Sequence, residues 1–476
     1  MSRRAALVVA AVVALLAAVA VGVGALGGGG RDVPLPAPSP SPSPTPSETP
    51  PPPVVLAAST PEPVDESAPV VGDVLAPLVG DPRLGDRVGV AVVDLSAGSP
   101  AYGLEDGRGQ TPASTLKVLT AVAALEAVGP QTRFSTRAAL TPDARAVVLV
   151  GGGDPLLTAD PDASGVPQPT RLADLASDTA EALQAVGTGP VRVVVDDRFF
   201  RGPAVDPDWE PRYVAAGVVG PVSALAVDGG RSSPGAVGRS PDPAIAAGQA
   251  FARLLAADGV AVEGAVERLP VPRGSTPLAV VRSVPLESLV EHVLATSDND
   301  AAEVLGRHTA FVTGRPASEA GASEAVTAVL AGLGLDVTGV DLRDASGLAR
   351  GSRVPPRLLA QALALASAPE RPRLRAAVTG LPVAGFTGTL DSRFEDAEGV
   401  AGAGAGEVRA KTGSLTGVGS LAGLVTAESG RTYTFAVVAD AIPAADTVGA
   451  REALDAVAAA LASCGCAPVG SPSAGG

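Results

Sequence analysis

Apolar positions along this chain fall into four regimes. An uninterrupted apolar run, Ala5 to Leu26, follows Arg3 and Arg4, and from Asp32 to about Pro63 hydrophobic residues give way to proline and serine. The long middle alternates between periods of two and of 3.6, which read as strand and amphipathic helix. The closing stretch, Gly470 to Gly476, has nothing to bury. Within the middle, Val88 to Leu95, a glycine-containing turn and Ala101 to Leu104 predict a hairpin rich in β-branched residues. Thr111-Pro112 marks the entry of a helix carrying Leu116, Val118, Leu119, Val122 and Leu125, which Gly129-Pro130 stops. Towards the far end, Val408 to Ser414, Ser420 to Ala427 and Arg431 to Ala439 predict three strands, the last two joined at Glu428-Ser-Gly430. A closing helix is predicted from about Thr447 to Ser463.

Strands from both ends of the chain can pair in one antiparallel sheet covered by the first and last of these helices, an α+β architecture. Residues 134–280 look separable. They carry short strands at Ala146 to Val150 and Val191 to Asp196 and a helix at about Ala244 to Ala257, between Gly-rich and Pro-rich joints, and read as one inserted smaller α/β domain. The main fold then comprises 66–133 and 281–468, with 31–65 a linker and 469–476 a disordered tail. Gly151-Gly-Gly-Asp-Pro155 follows a strand, but a phosphate cradle needs G-x-G-x-x-G opening a helix, and Pro155 breaks that pattern. A tight turn is the better reading.

The first 30 residues have the form of an export segment, a positive n-region before an apolar h-region. Ala18-Val19-Ala20 offers a cleavage site, while a run of about 20 residues also suffices to span a bilayer. Signal peptide and signal anchor both stay open, and both place the remainder outside the cytoplasm, secreted or tethered to the outer face of the membrane. The Pro/Ser-rich linker favours polyproline II, a semi-rigid stalk of roughly 3.1 Å per residue. A formal charge of -15 leaves no basic stripe to replace phosphate counterions, which excludes nucleic acid as a partner. Cys464 and Cys466 make neither a disulfide framework nor a zinc set; they either close one small loop or stay as two thiols. With His292 and His308 the only histidines, neither a metal nor a cofactor is expected.

Lysine changes the picture. The chain has two, against 33 arginines: Lys117 in Ser114-Thr-Leu-Lys117, and Lys411 in Lys411-Thr-Gly413. A serine hydroxyl is a weak nucleophile until a base takes its proton; a guanidinium essentially never deprotonates, whereas a desolvated amine does. Spacing i, i+3 in the first turn of a helix puts Ser114 and Lys117 on one face. There the free N–H groups and helix dipole also favour a developing oxyanion. Singly, each motif has a plain reading. S-x-x-K alone is a helix cap with an exposed lysine, Ser297-Asp-Asn299 a cap between two helices, and Lys411-Thr-Gly413 a strand residue before a turn. Together and in this order, S-x-x-K, S-D-N and K-T-G are the set found in class A β-lactamases and penicillin-binding proteins. No G-x-S-x-G elbow competes, and both histidines fall in amphipathic helical stretches.

On these motifs the chain resembles the low-molecular-mass class C penicillin-binding proteins, D-alanyl-D-alanine carboxypeptidases and endopeptidases. Further stretches share the resemblance, among them Gly151 to Leu156, Val195-Asp-Asp197, Trp209, Pro221 to Leu225, Asp344-Ala-Ser-Gly-Leu348, Gly388-Thr-Leu390 and Lys411 to Gly417, covering about Val70 to Ala462. The resemblance implies that 66–133 and 281–468 form the penicillin-binding catalytic domain. It implies Ser114 as nucleophile, Lys117 as general base, Ser297 as proton relay, Asn299 as the residue orienting Lys117 and substrate, and Lys411 as the cation for a substrate carboxylate. Thr412, Gly413 and Ser414 would bind substrate, with the N–H groups of Ser114 and Ser414 forming the oxyanion hole. The implied partners are peptidoglycan stem peptides ending in D-Ala-D-Ala, with β-lactams as covalent inhibitors and membrane contact only through the N-terminus. Longer relatives carry a further small β domain where this chain has only Gly229 to Ser240, so that third domain is expected to be absent. A β-lactamase, which deacylates rapidly, and a non-catalytic wall-binding module are the alternative readings.

Overall fold

The computed structural model describes residues 69–232, 235–394, 400–443 and 446–467. The N-terminal apolar run, the Pro/Ser-rich linker and the C-terminal tail lie outside the described residues. Among the described residues no helix is long and apolar enough to cross a membrane.

Helix α1 (Val71–Val79) leads into the predicted hairpin, β1 (Val88–Asp94) and β2 (Ser99–Leu104). Asp94 shapes its turn: the buried carboxylate accepts the N–H groups of Ser96 and Ala97 at 2.8 and 3.2 Å and pairs with Arg431. A 3-10 turn at Ala113–Thr115 then opens α2 (Leu116–Ala127). Next come β3 (Ser135–Leu140), β4 (Ala146–Val150), α3 (Leu172–Val186), β5 (Arg192–Asp196), α4 (Pro243–Ala257), β6 (Glu267–Arg268) and β7 (Thr276–Arg282). Four helices follow, α5 (Leu286–Thr296), α6 (Asn299–Val312), α7 (Glu319–Gly332) and α8 (Pro356–Ser367). Strands β8 (Val408–Leu415), β9 (Val418–Thr426) and β10 (Thr432–Ala439) precede α9 (Thr447–Ala462), after which Cys464 and Cys466 are joined in a disulfide.

The first sheet has the order β2-β1-β10-β9-β8, antiparallel throughout. The two ends of the chain meet at β1 and β10, with Val88 opposite Ala439 and Asp94 opposite Tyr433. Successive side chains of a strand point to opposite faces. So β10 sends Tyr433, Phe435 and Val437 into a core with α1 and α9, and Ala436 and Val438 into a core with α2, α5 and α8. One expectation is corrected here. The helix lying directly on β1 and β10 is α8, not α2; small residues on that face, Ala91, Ala422 and Ala436, leave room for it, and the Thr434 hydroxyl donates to the Ala360 carbonyl at 2.9 Å. Leu116 through Leu125 are all buried, and a helix without a wet face belongs inside a helical layer, where α2 packs among α5, α6, α7 and α8.

The second sheet runs β6-β5-β4-β3-β7. β4 pairs parallel with β5, and α3 provides the crossover that parallel neighbours require. With α4 it covers one face, over Leu149, Val193 and Val195. Arg231 and Arg239 pair in an isolated antiparallel bridge. Both sheets belong to one compact unit.

Candidate active site

The site starts from a kink. Ala113 has a φ of 49°, a left-handed conformation uncommon for a residue with a side chain, and it throws the chain into the turn that carries Ser114. Two glycines grip that turn. A Cβ on Gly413 of β8 would lie 2.8 Å from the Pro112 carbonyl oxygen and 3.0 Å from the Ser114 nitrogen, and one on Gly347 would lie 1.9 Å from the Ala113 oxygen. The Ser420 hydroxyl on β9 donates to the Pro112 carbonyl at 2.6 Å. Bare backbone at 347 and 413 therefore lets β8 and the loop 344–349 close on the Ser114 turn from two sides.

Lys117, at the start of α2 and one turn after Ser114, is fully buried. Its Nζ donates to Ser114 Oγ at 3.1 Å, Asn299 Oδ1 at 2.6 Å and the Ser346 carbonyl at 2.7 Å. An ammonium has three donors, and all three are placed. Burial lowers its pKa to about 8, opposed by nearby carboxylates, Asp344 foremost. Most of this amine's ordinary preference for the charged form at neutral pH is thereby removed where a base is wanted.

Asn299 opens α6, and its Nδ2 donates to the Val218 carbonyl at 2.9 Å, which leaves Oδ1 for the lysine. Asp298 caps the same helix by accepting the Ala301 N–H at 2.9 Å. Ser297 occupies the left-handed position, φ 60°, between α5 and α6. Among the described residues no hydrogen bond joins its hydroxyl to Ser114 or Lys117, so the relay expected of it has no formed link here.

Lys411 is buried on β8, where its Nζ donates to the Thr412 carbonyl at 2.8 Å; among the described residues its ammonium form keeps two donors unused. Burial, with the cations of Lys117 and Arg393 nearby, holds its amine well below the ordinary lysine range. Thr412 Oγ1 donates to Thr389 Oγ1 at 2.9 Å, and Ser414 is exposed.

Three of the motif residues thus meet at one nitrogen, and the third motif lies against the serine turn. Sequence reasoning missed Ser346, because the group used is a backbone carbonyl that any residue supplies. The available signal was the stretch Asp344-Ala-Ser-Gly-Leu348, which Asp344 folds into a loop. Its Oδ1 accepts the Gly347 N–H at 2.9 Å, and its Oδ2 accepts the Ser346 hydroxyl and Ala349 N–H at 2.9 Å and Trp209 Nε1 at 3.1 Å.

This fold is that of a penicillin-binding protein. It superposes on penicillin binding protein 4 (dacB) of Haemophilus influenzae with a TM-score of 0.65 at 22% identity, covering 81% of this chain and 98% of that one. In sequence, residues 72–241 and 233–461 match the D-Ala-D-Ala carboxypeptidase 3 (S13) family. The chain is 39% identical over 408 residues to a carboxypeptidase of Mycobacterium tuberculosis, covering 84% of this chain and 85% of that one. It is 38% identical over 412 residues to carboxypeptidase DacB of Mycolicibacterium smegmatis, covering 85% and 87%. The chain belongs to the D-Ala-D-Ala carboxypeptidase 3 (S13) family.

Proposed function

We propose that this chain is a penicillin-binding serine D-Ala-D-Ala carboxypeptidase whose acyl-enzyme forms on Ser114. The observation that carries the reading is Lys117 Nζ, 3.1 Å from Ser114 Oγ and stripped of water. Neutral Lys117 takes the hydroxyl proton as Oγ bonds to the carbonyl carbon of the penultimate D-alanine. General-base help of this kind contributes about 10²–10⁴-fold. The peptide C–N bond then breaks, D-alanine leaves as the proton Lys117 took is returned to its amine, with Ser297 completing the relay once substrate is bound, and water cleaves the ester. The N–H groups of Ser114 and Ser414 hold the oxyanion. Lys411 meets the substrate carboxylate: its two unused donors and its burial beside another cation make an arriving anion favourable. Thr412 and Ser414 hydroxyls complete that contact, and Gly413 lets the strand lie close.

Incubation with fluorescent penicillin labels the wild type and leaves Ser114→Ala dark, and stem peptides release D-alanine only with the former; equal labelling of the two overturns the assignment. The same acyl-enzyme serves a crosslinked leaving amine, so the proposal extends to endopeptidase cleavage, checked by digesting crosslinked and uncrosslinked muropeptides. The sequence of the first 30 residues supports an extracytoplasmic location, secreted or anchored, which cell fractionation checks.

A further inference from the structure

Helix α6 carries Asn299, Glu303 and Arg307 at successive i, i+4 positions, one stripe along its surface. Asn299 touches Lys117 directly. Glu303 reaches it at one remove. Its carboxylate is fully buried, and Oε1 accepts the N–H groups of Ala345 at 3.1 Å and Ser346 at 2.9 Å, while the carbonyl of that same Ser346 accepts from Lys117 Nζ. One helical face therefore supplies two of the three acceptors around the lysine, one itself and one through the loop it holds.

The close approach of loop and helix is built in. A Cβ on Gly306, inside α6, would lie 2.6 Å from Ala345 Cβ and 3.0 Å from Ala322 Cβ. Glycine in a helix interior costs about 1 kcal/mol relative to alanine, and here it admits the loop.

The Glu303 carboxyl has one oxygen more than an anchor needs. Oε1 alone binds the loop; among the described residues Oε2 is buried without a hydrogen-bond partner, and Arg307 Nη1 lies 4.0 Å from it. Asp344 and Asp206 act on Glu303 as like charges, Arg307 opposes them, and Lys117 feels Glu303 in turn. Burial foremost pushes the Glu303 carboxyl up to about 8, so carboxyl and amine release protons in the same range.

We infer that Glu303 is a positioning residue for acyl transfer: through the Ser346 carbonyl it fixes Lys117 Nζ beside Ser114 Oγ, and its charge sets how readily that amine yields its proton. The inference rests on the reading of Lys117 as the base.

The test is the rate of penicillin acylation of the full chain across the neutral and alkaline range, for wild type, Glu303→Gln and Glu303→Ala, with Ser114→Ala as control and thermal midpoints for each. Glutamine keeps an acceptor for both N–H groups, so Glu303→Gln should melt within a few degrees of wild type. Its alkaline activation should move by about half a pH unit or more to lower pH, because losing a negative neighbour weakens the hold on the ammonium proton, so that below the wild-type midpoint it acylates about threefold faster. Glu303→Ala also frees the loop, with a loss of about 100-fold or more. A Glu303→Gln enzyme whose activation coincides with wild type, whatever its melting point, overturns the role and reduces Glu303 to a loop anchor. If Ser114→Ala still labels, the acyl-enzyme reading falls and this inference with it; if Ser114→Ala is dark, an unmoved Glu303→Gln profile removes only the inference. Should Glu303→Ala fail to fold, Glu303→Gln decides alone.

Discussion

Replacing Lys117 by arginine would keep the cation and discard the base. Guanidinium does not deprotonate in proteins, so Lys117→Arg should acylate about 10³-fold more slowly or worse, measured by fluorescent penicillin with circular dichroism to confirm the fold. In the wild type the same rate should climb as pH rises through about 8, where the buried amine becomes neutral. The stability sign follows from the lowered pKa. Between about 8 and the ordinary 10.5 the unfolded chain holds the lysine proton and the folded chain does not, so this residue's contribution to stability grows as pH rises through that window. Lys117 and Lys411 were legible because lysine is otherwise absent from the chain. Ser346 was not, since a carbonyl leaves no trace in residue identity, and Glu303 was not, since nothing in the sequence says which helical carboxylate is buried.

At the level of elements, the clamp on the Ser114 turn depends on two bare backbones. Gly413→Ala would put a methyl group 2.1 Å from Ser420 Oγ, which holds Pro112, and against the Pro112 carbonyl. Strand β8 and the turn must then part. We expect a stability loss of about 1–3 kcal/mol by denaturant unfolding and an acylation loss of about 100-fold, since displacement of a reacting group by an ångström is enough for that. Alternation of apolar residues located β1, β8, β9 and β10 to within a residue or two, and the Thr111-Pro112 entry and Gly129-Pro130 stop bracketed α2. Helices α7 and α8 were not delimited. The turns of α7 are built largely from alanine and other small residues, which show little contrast between faces in the sequence yet pack closely in the structure. Helix α8 has a clear apolar face of leucines, but no local pattern reports which layer that face covers, and here it is β1 and β10.

Across the whole molecule, α6 ties the Ser114 site to the second sheet. Its His308 stacks on Phe134 with ring centroids 3.5 Å apart, and Nε2 lies 3.0 Å from the Gly153 carbonyl, to which it donates. Burial pulls the His308 pKa down to about 4, below the ordinary 6.5. A depressed histidine favours the fold above its unfolded value, and that advantage is lost as pH falls from 6.5 towards 4, a change of roughly 3 kcal/mol from this one residue. Denaturant unfolding at a series of pH values should show it, and His308→Phe should flatten the acid limb. The sequence placed both histidines in structural roles, but the partner of His308 lies 155 residues away, a separation that periodicity does not report. Separations of this size govern the site as well: Lys117 meets Asn299 and Ser346 across 182 and 229 residues, and β10 lies between β1 and β9 in the sheet. A nascent or clipped chain that has Ser114 but lacks the last strands holds a hydroxyl without the Gly413 and Ser420 side of its clamp and without the neighbouring Lys411. Covalent penicillin labelling should therefore count finished molecules, and a chain truncated before β8 should stay silent however much of it is made.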